Sequence, residues 1–165
     1  MTRRWRRIAA VALVVATVGC DRVSKHFAAR GLAGEPRQSF LADMVRLEYA
    51  ENTGAFLSLG DTWSPAIRTG VFTIGTGLLL CLMIAAALRY RLTGPARVGL
   101  ALYVAGGASN LVDRLLRGSV IDFMNVGVGP LRTGIFNVAD VAILLGVAIF
   151  VLTHRQPDPR PSTDT

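Results

Sequence analysis

Apolar residues are concentrated in four stretches of this chain, residues 8–28, 66–88, 98–116 and 136–153, separated by segments rich in arginine, glycine and proline. Each stretch is close to the ~20 residues that a helix needs to cross a hydrocarbon layer about 30 Å thick. The pattern therefore predicts four transmembrane helices. In the first intervening segment, "MVRLEYA" sets Val45, Leu47 and Tyr49 against Arg46 and Glu48, the period-two alternation of a half-buried strand. The fold class that follows is an all-α integral membrane protein with a small extracytoplasmic sheet between helices one and two. It forms one domain over residues 1–154, followed by a polar, proline-rich tail at 155–165 expected to be disordered.

Composition agrees with this reading. Hydrophobic residues make up 52% of the 165, and charged residues 18%, against about a quarter in soluble domains. The net charge of +7 is almost wholly arginine, and the arginines flank apolar runs instead of lining a polar face. They speak for membrane orientation and against nucleic acid. Arg3, Arg4, Arg6 and Arg7, then Arg89, Arg91 and Arg97, then Arg155 and Arg160 mark three cytoplasmic segments. Both termini are then inside, and residues 30–65 and 117–135 are outside. Trp5 and Trp63 fall near the two interfaces, where aromatic side chains anchor.

Two cysteines sixty-one residues apart, Cys20 and Cys81, match no zinc pattern or disulfide framework and are read as packing residues. His26 and His154 have no neighbours at metal-ligand spacing. Gly70, Gly75, Gly77, Gly99, Gly106 and Gly107 suit close helix contacts. The first apolar run also resembles a cleavable lipoprotein leader ending at Gly19-Cys20. However, Thr17 stands where such leaders carry leucine, and Asp21 and Lys25 continue the same helix, so it is read as a retained span with Cys20 unmodified.

The polar residues of the spans fall at one level, the outer interface. Asp21 and Lys25, the chain's single lysine, are i and i+4; Asn110, Asp113 and Arg114 are i, i+3 and i+4; Asn137 and Asp140 are i and i+3. Asp122 lies in the outer loop just beyond the third helix. A charge at the bilayer centre costs about 2.5–3.5 kcal/mol on insertion scales, so such residues are usually paired, water-facing and functional. Lys25 is the expected counter-charge of Asp21, and Arg114 that of Asp113, as interhelical glue or in a chemical role. Asp122 and Asp140 have no base at helical spacing and sit among apolar neighbours, which raises a carboxyl pKa and favours a shared proton. The residues alone leave open an aspartic dyad and the acid cluster of a small proton- or ion-coupled transporter, and lean to the latter.

Four stretches, "DRVSKHFA" (21–28), "ENTGAFLSL" (51–59), "GGASNLVDRLLRGSVIDF" (106–123) and "FNVADVAI" (136–143), resemble, in order, the motifs of lipoprotein signal peptidase, or signal peptidase II. The resemblance implies an aspartic endopeptidase of the bacterial inner membrane, with its site at the outer face. It would cut prolipoproteins just before a diacylglyceryl-modified cysteine. It implies Asp122 and Asp140 as the catalytic pair. Asp21, Lys25, Asn52, Gly54, Asn110, Asp113, Arg114 and Asn137 would brace that pair and hold the substrate. The implied partners are diacylglyceryl-modified prolipoproteins and membrane lipids; the implied enzyme is a monomer that uses no metal or other cofactor. Two departures stand out: the family's G-G-A-x-G-N reads Gly106-Gly107-Ala108-Ser109-Asn110, one residue shorter, and "VGPLRTGI" before the last motif lacks the family's usual pattern.

Overall fold

The computed structural model describes residues 3–54, 63–90 and 92–154. The second half of "ENTGAFLSL", Arg91 and the 155–165 tail lie outside them. In chain order the elements are α1 (Arg3–Gly31), β1 (Gln38–Phe40), β2 (Val45–Asn52), α2 (Pro65–Arg68), a π-helical stretch (Thr69–Gly75), α3 (Thr76–Arg89), α4 (Gly94–Arg117), β3 (Val120–Val128), β4 (Leu131–Arg132) and α5 (Val138–His154). Each predicted apolar stretch is helical over most of its length. Among the described residues, one helix, Ala66–Arg89, is long and apolar enough to cross a membrane by itself. The equivalent lengths of α1 and α4 are interrupted by Asp21, Arg22 and Lys25, and by Asn110, Asp113 and Arg114.

The expectation of an all-α fold is corrected to a mixed one. A four-stranded antiparallel sheet of order β1-β2-β3-β4 sits at one end of the bundle, and its two longest strands come from different interhelical segments. The sheet is thus not confined to the segment between the first two apolar stretches, and Asp122 lies on a strand instead of a loop. The reason is legible in β3, where Val120, Ile121, Asp122 and Phe123 are all buried. A strand covered on both faces carries no alternation and reads as a short apolar run.

Local chemistry sets the helix ends near the sheet. Thr93 caps α4, its Oγ1 accepting from the Ala96 amide at 3.4 Å, with Pro95 in the first turn. The helix therefore begins before the apolar run does. It stops at Gly118, whose φ of 76° is the left-handed conformation glycine adopts without penalty, and the chain passes straight into β3.

α4 and α5 meet backbone to backbone. A Cβ on Gly106 would lie 2.3 Å from the Ala139 carbonyl oxygen, one on Gly99 2.7 Å from that of Gly146, and one on Gly146 2.5 Å from that of Gly99. Small residues at these positions let the helices approach. Gly107 faces a flexible side chain instead, the Leu80 Cδ2 at 2.8 Å. Gly106→Ala should therefore lower the melting temperature in detergent more than Gly107→Ala, with a cost of about 1–3 kcal/mol for the former. Equal melting temperatures would refute this account of the contact. Gly70 and Gly75, expected as packing positions, have open space around them, and Gly77 makes only an ordinary contact. Cys20 and Cys81 are also exposed rather than packed. α3 buries only Leu80, and Cys81, one residue on, is turned about 100° away from that contact.

Candidate active site

The polar residues of α1, α4 and α5 form one hydrogen-bonded cluster where the helices meet the sheet. Lys25 is its hub, 2% exposed. Its ammonium reaches Asp21 Oδ2 at 2.8 Å, Asp113 Oδ2 at 2.8 Å and Asn110 Oδ1 at 2.7 Å. Two ion pairs and one hydrogen bond thus surround the buried charge. Asp21 in turn accepts from Ser109 Oγ at 2.7 Å and, through Oδ1, from the Ala139 amide at 2.8 Å, which ties α1 to both α4 and α5. The predicted Asp21–Lys25 pair is present. The predicted Asp113–Arg114 pair is not, because Asp113 is bound by Arg22 and Lys25 of α1. Arg114, one residue on and so about 100° around the helix, turns away and donates to the Gly54 carbonyl at 2.8 Å.

The start of α5 explains the "FNVAD" stretch physically. Asn137 Oδ1 accepts from the Asp140 amide at 2.9 Å while Asp140 Oδ2 accepts from the Asn137 amide at 3.1 Å. This is the reciprocal capping box, with Asn and Asp in place of the usual Ser/Thr and Glu/Gln. Asp140 is thereby fixed in the first turn, where the helix dipole favours a carboxylate. Its other oxygen accepts from Asn110 Nδ2 at 2.9 Å.

Asp122 is brought alongside by the sheet. Asn52 pairs with Val120 and Ala50 with Asp122, so Asn52 and Asp122 are diagonal neighbours on one face of β2 and β3. Asn52 Nδ2 donates to Asp122 Oδ2 at 2.9 Å, and Asn137 Nδ2 to Asp122 Oδ1 at 2.6 Å. Asn137, fully buried, thus bonds both carboxylates, one through its side chain and one through its amide. Asn52 also closes the N-T-G turn by accepting from the Gly54 amide at 3.0 Å. Asp122 and Asp140, with Asn52, Asn110, Arg114 and Ile135, line one cleft of about 20 Å³, enough for about one water molecule. Neither carboxylate makes an ion pair among the described residues. Among these residues no group of three or more His, Cys, Asp or Glu is arranged to hold a metal ion.

Burial pushes the Asp122 carboxyl up to about 6, with the Asn52 hydrogen bond opposing and the Asp140 charge adding to the rise. A carboxyl raised on folding contributes stability that is complete below the unfolded value and lost as pH climbs through the folded one. Relative to Asp122→Asn, the wild-type protein should therefore lose stability between about pH 4 and about pH 7, by an amount on the order of 3 kcal/mol that melting curves at each pH would read. A constant difference across that range would show that Asp122 is not so displaced.

Of the residues singled out by sequence, Asn52, Asn110, Arg114, Asp122 and Asp140 line the cleft and Asn137 binds both acids. Gly54 anchors Arg114, while Asp21, Lys25 and Asp113 stand one layer behind. Sequence reasoning missed Ser109 and Arg22, which complete the cluster. It also missed the cap, although an N-x-x-D spacing immediately before an apolar run was the available signal.

Residues 13–155 match the family model described as signal peptidase (SPase) II. The chain belongs to the signal peptidase II family. A lipoprotein signal peptidase of Cronobacter sakazakii is 32% identical over 97% of this chain and 93% of its own length. Those of Sphingopyxis alaskensis and Moorella thermoacetica are 33% and 32% identical, covering 87% and 83% of the chain and 87% and 86% of the relatives. Two solved bacterial membrane enzymes share the fold, with TM-scores of 0.78 and 0.74 at 21% and 23% identity, over 91% and 88% of this chain and 94% and 87% of theirs. The chain is thus a peptidase by family, and an integral membrane protein. In this signal peptidase II sequence the Gly106–Asn110 stretch packs Gly106 on Ala139, bonds Ser109 to Asp21 and bonds Asn110 to Asp140.

Proposed function

We propose that this chain is an aspartic endopeptidase of the bacterial cytoplasmic membrane that removes signal peptides from diacylglyceryl-modified prolipoproteins, cutting before the lipidated cysteine. The observation that carries the reading is the cleft shared by Asp122 and Asp140, braced by Asn137 and sized for about one water. The family match supports the substrate class. In this reading four spans place both termini in the cytoplasm, and the sheet and dyad lie at the outer face.

The dyad holds one proton between two carboxyl groups. One carboxylate takes a proton from water as its oxygen bonds to the scissile carbonyl carbon; the other carboxyl donates its proton toward the carbonyl oxygen. Collapse of the tetrahedral intermediate breaks the C–N bond, and the leaving amine of the cysteine takes up a proton from the pair. Asn52, Asn110 and Asn137 hold the two carboxyl groups in register. Arg114, whose buried Nε has no hydrogen-bond partner among the described residues, offers a donor to the substrate backbone.

Purified protein should cut a lipidated prolipoprotein, and mass spectrometry should find the new N-terminus at the modified cysteine. The same precursor without diacylglycerol should be cut far more slowly. Equal rates on both, or a cut elsewhere, would overturn the substrate assignment.

A further inference from the structure

We propose that a second site, a basic cavity between the ends of α1 and α4, binds the phosphodiester of an anionic phospholipid. The cavity encloses about 420 Å³, within the range of small-ligand sites, about 300–1,000 Å³. Its wall carries Arg22, Lys25, His26 and Arg30 from α1 and Asp113 and Arg117 from α4, with Ile121 from β3. Ile121 and Asp122 are successive strand residues and point to opposite faces. The cavity therefore lies behind the sheet from the carboxylate cleft and is separate from it.

The charges in this wall do not balance. Asp113 is already bound on one oxygen by Arg22 and on the other by Lys25. Arg30 and Arg117 are exposed and make no ion pair or hydrogen bond among the described residues. Four cations, Arg22, Lys25, Arg30 and Arg117, face Asp113, the adjoining Asp21 and Glu51, which pairs with Ile121 and so shares its face of the sheet, an excess of one positive charge. α1 and α4 both end here with basic last turns, where the helix dipoles favour cations. The excess sits on Arg30 and Arg117, and guanidinium groups bind the oxygens of a phosphodiester monoanion in a forked geometry.

A lipid, rather than a soluble anion, follows from what lies below the cavity. Ile8 and Val15 precede Arg22 and Ala29 at seven-residue intervals, so they share one helix face, drifting only about 20° per interval. Val11 falls on the same face. Ile8, Val11 and Val15 are 47%, 63% and 65% exposed. Val11 lies about 16 Å along the axis from Arg22, close to half of a hydrocarbon layer about 30 Å thick. A phosphate in the cavity would thus lay its acyl chain along this apolar stripe, toward the middle of the hydrocarbon layer.

The test uses the purified full-length protein in detergent with equimolar phosphatidylglycerol and phosphatidylcholine of the same chain length, and reads the retained lipid by native mass spectrometry. The wild type should prefer phosphatidylglycerol by roughly tenfold to thirtyfold. Arg30→Gln/Arg117→Gln should bring this to near parity, while Arg30→Lys/Arg117→Lys, which keeps the charge, should retain most of it. Circular dichroism of both variants checks that they are folded. No preference in the wild type, or a preference unchanged in the glutamine variant, overturns the proposal. Displacement of the lipid by millimolar inorganic phosphate also overturns it, since the site would then serve a soluble anion.

Discussion

Asp140→Asn and Asp122→Asn are each expected to reduce prolipoprotein cleavage at least about a thousandfold while leaving a folded, inserted protein. The magnitude follows from the proposed roles: acid–base groups contribute about 10²–10⁴-fold each, and groups that act as a unit lose nearly everything when one is removed. Folding should survive because the lost contacts are few. At position 140 an asparagine oxygen can still accept from the Asn137 amide, preserving the α5 cap that Asp140 Oδ2 now completes. At position 122 both oxygens accept from asparagine NH2 groups, so an asparagine there keeps one of the two bonds. Rates on a lipidated precursor, read beside melting curves and gel filtration, separate chemistry from structure. If either variant kept more than about a tenth of the wild-type rate, the dyad would be the wrong assignment, since a lost acid–base group costs at least about a hundredfold.

What the sequence disclosed depended on how each residue signals its surroundings. Helices were legible from runs of apolar residues, and the cluster of Asp21, Lys25, Asn110, Asp113, Asn137 and Asp140 from its rarity inside such runs. β2 was legible because Val45, Leu47 and Tyr49 alternate with charge. β3 was not, because burial of Val120 to Phe123 on both faces leaves no period to detect. Long-range pairing is harder still. Asp113 and Arg114 are neighbours on a helix, and spacing alone suggests that they neutralise each other. Only the packing of α1 beside α4 reveals Arg22 and Lys25 as the nearer bases. The Asn52–Asp122 bond likewise joins residues seventy positions apart, and it depends on a strand pairing that neither motif encodes alone.

The largest effect on stability should come from Lys25→Met. Lys25 bridges Asp21 and Asp113, which are both fully buried. Removing its charge leaves two carboxylates with too few partners. Breaking a buried ion pair in this way costs about 3–5 kcal/mol, which for a chain of this size is a fall of roughly 10 °C in melting temperature. Activity should fall as well, because Lys25 holds Asn110, and Asn110 holds Asp140. The decisive comparison is the double variant Asp21→Asn/Lys25→Met. It removes one of the stranded charges along with its base, and an asparagine oxygen can still accept from the Ala139 amide as Asp21 Oδ1 does. The double variant should therefore melt above the sum of the two single losses, with a coupling of about 0.5–3 kcal/mol. Strict additivity would mean that Lys25 stabilises the bundle through its aliphatic packing. A positive coupling would instead identify its charge as what allows three carboxylate-bearing helix segments to converge beside the cleft.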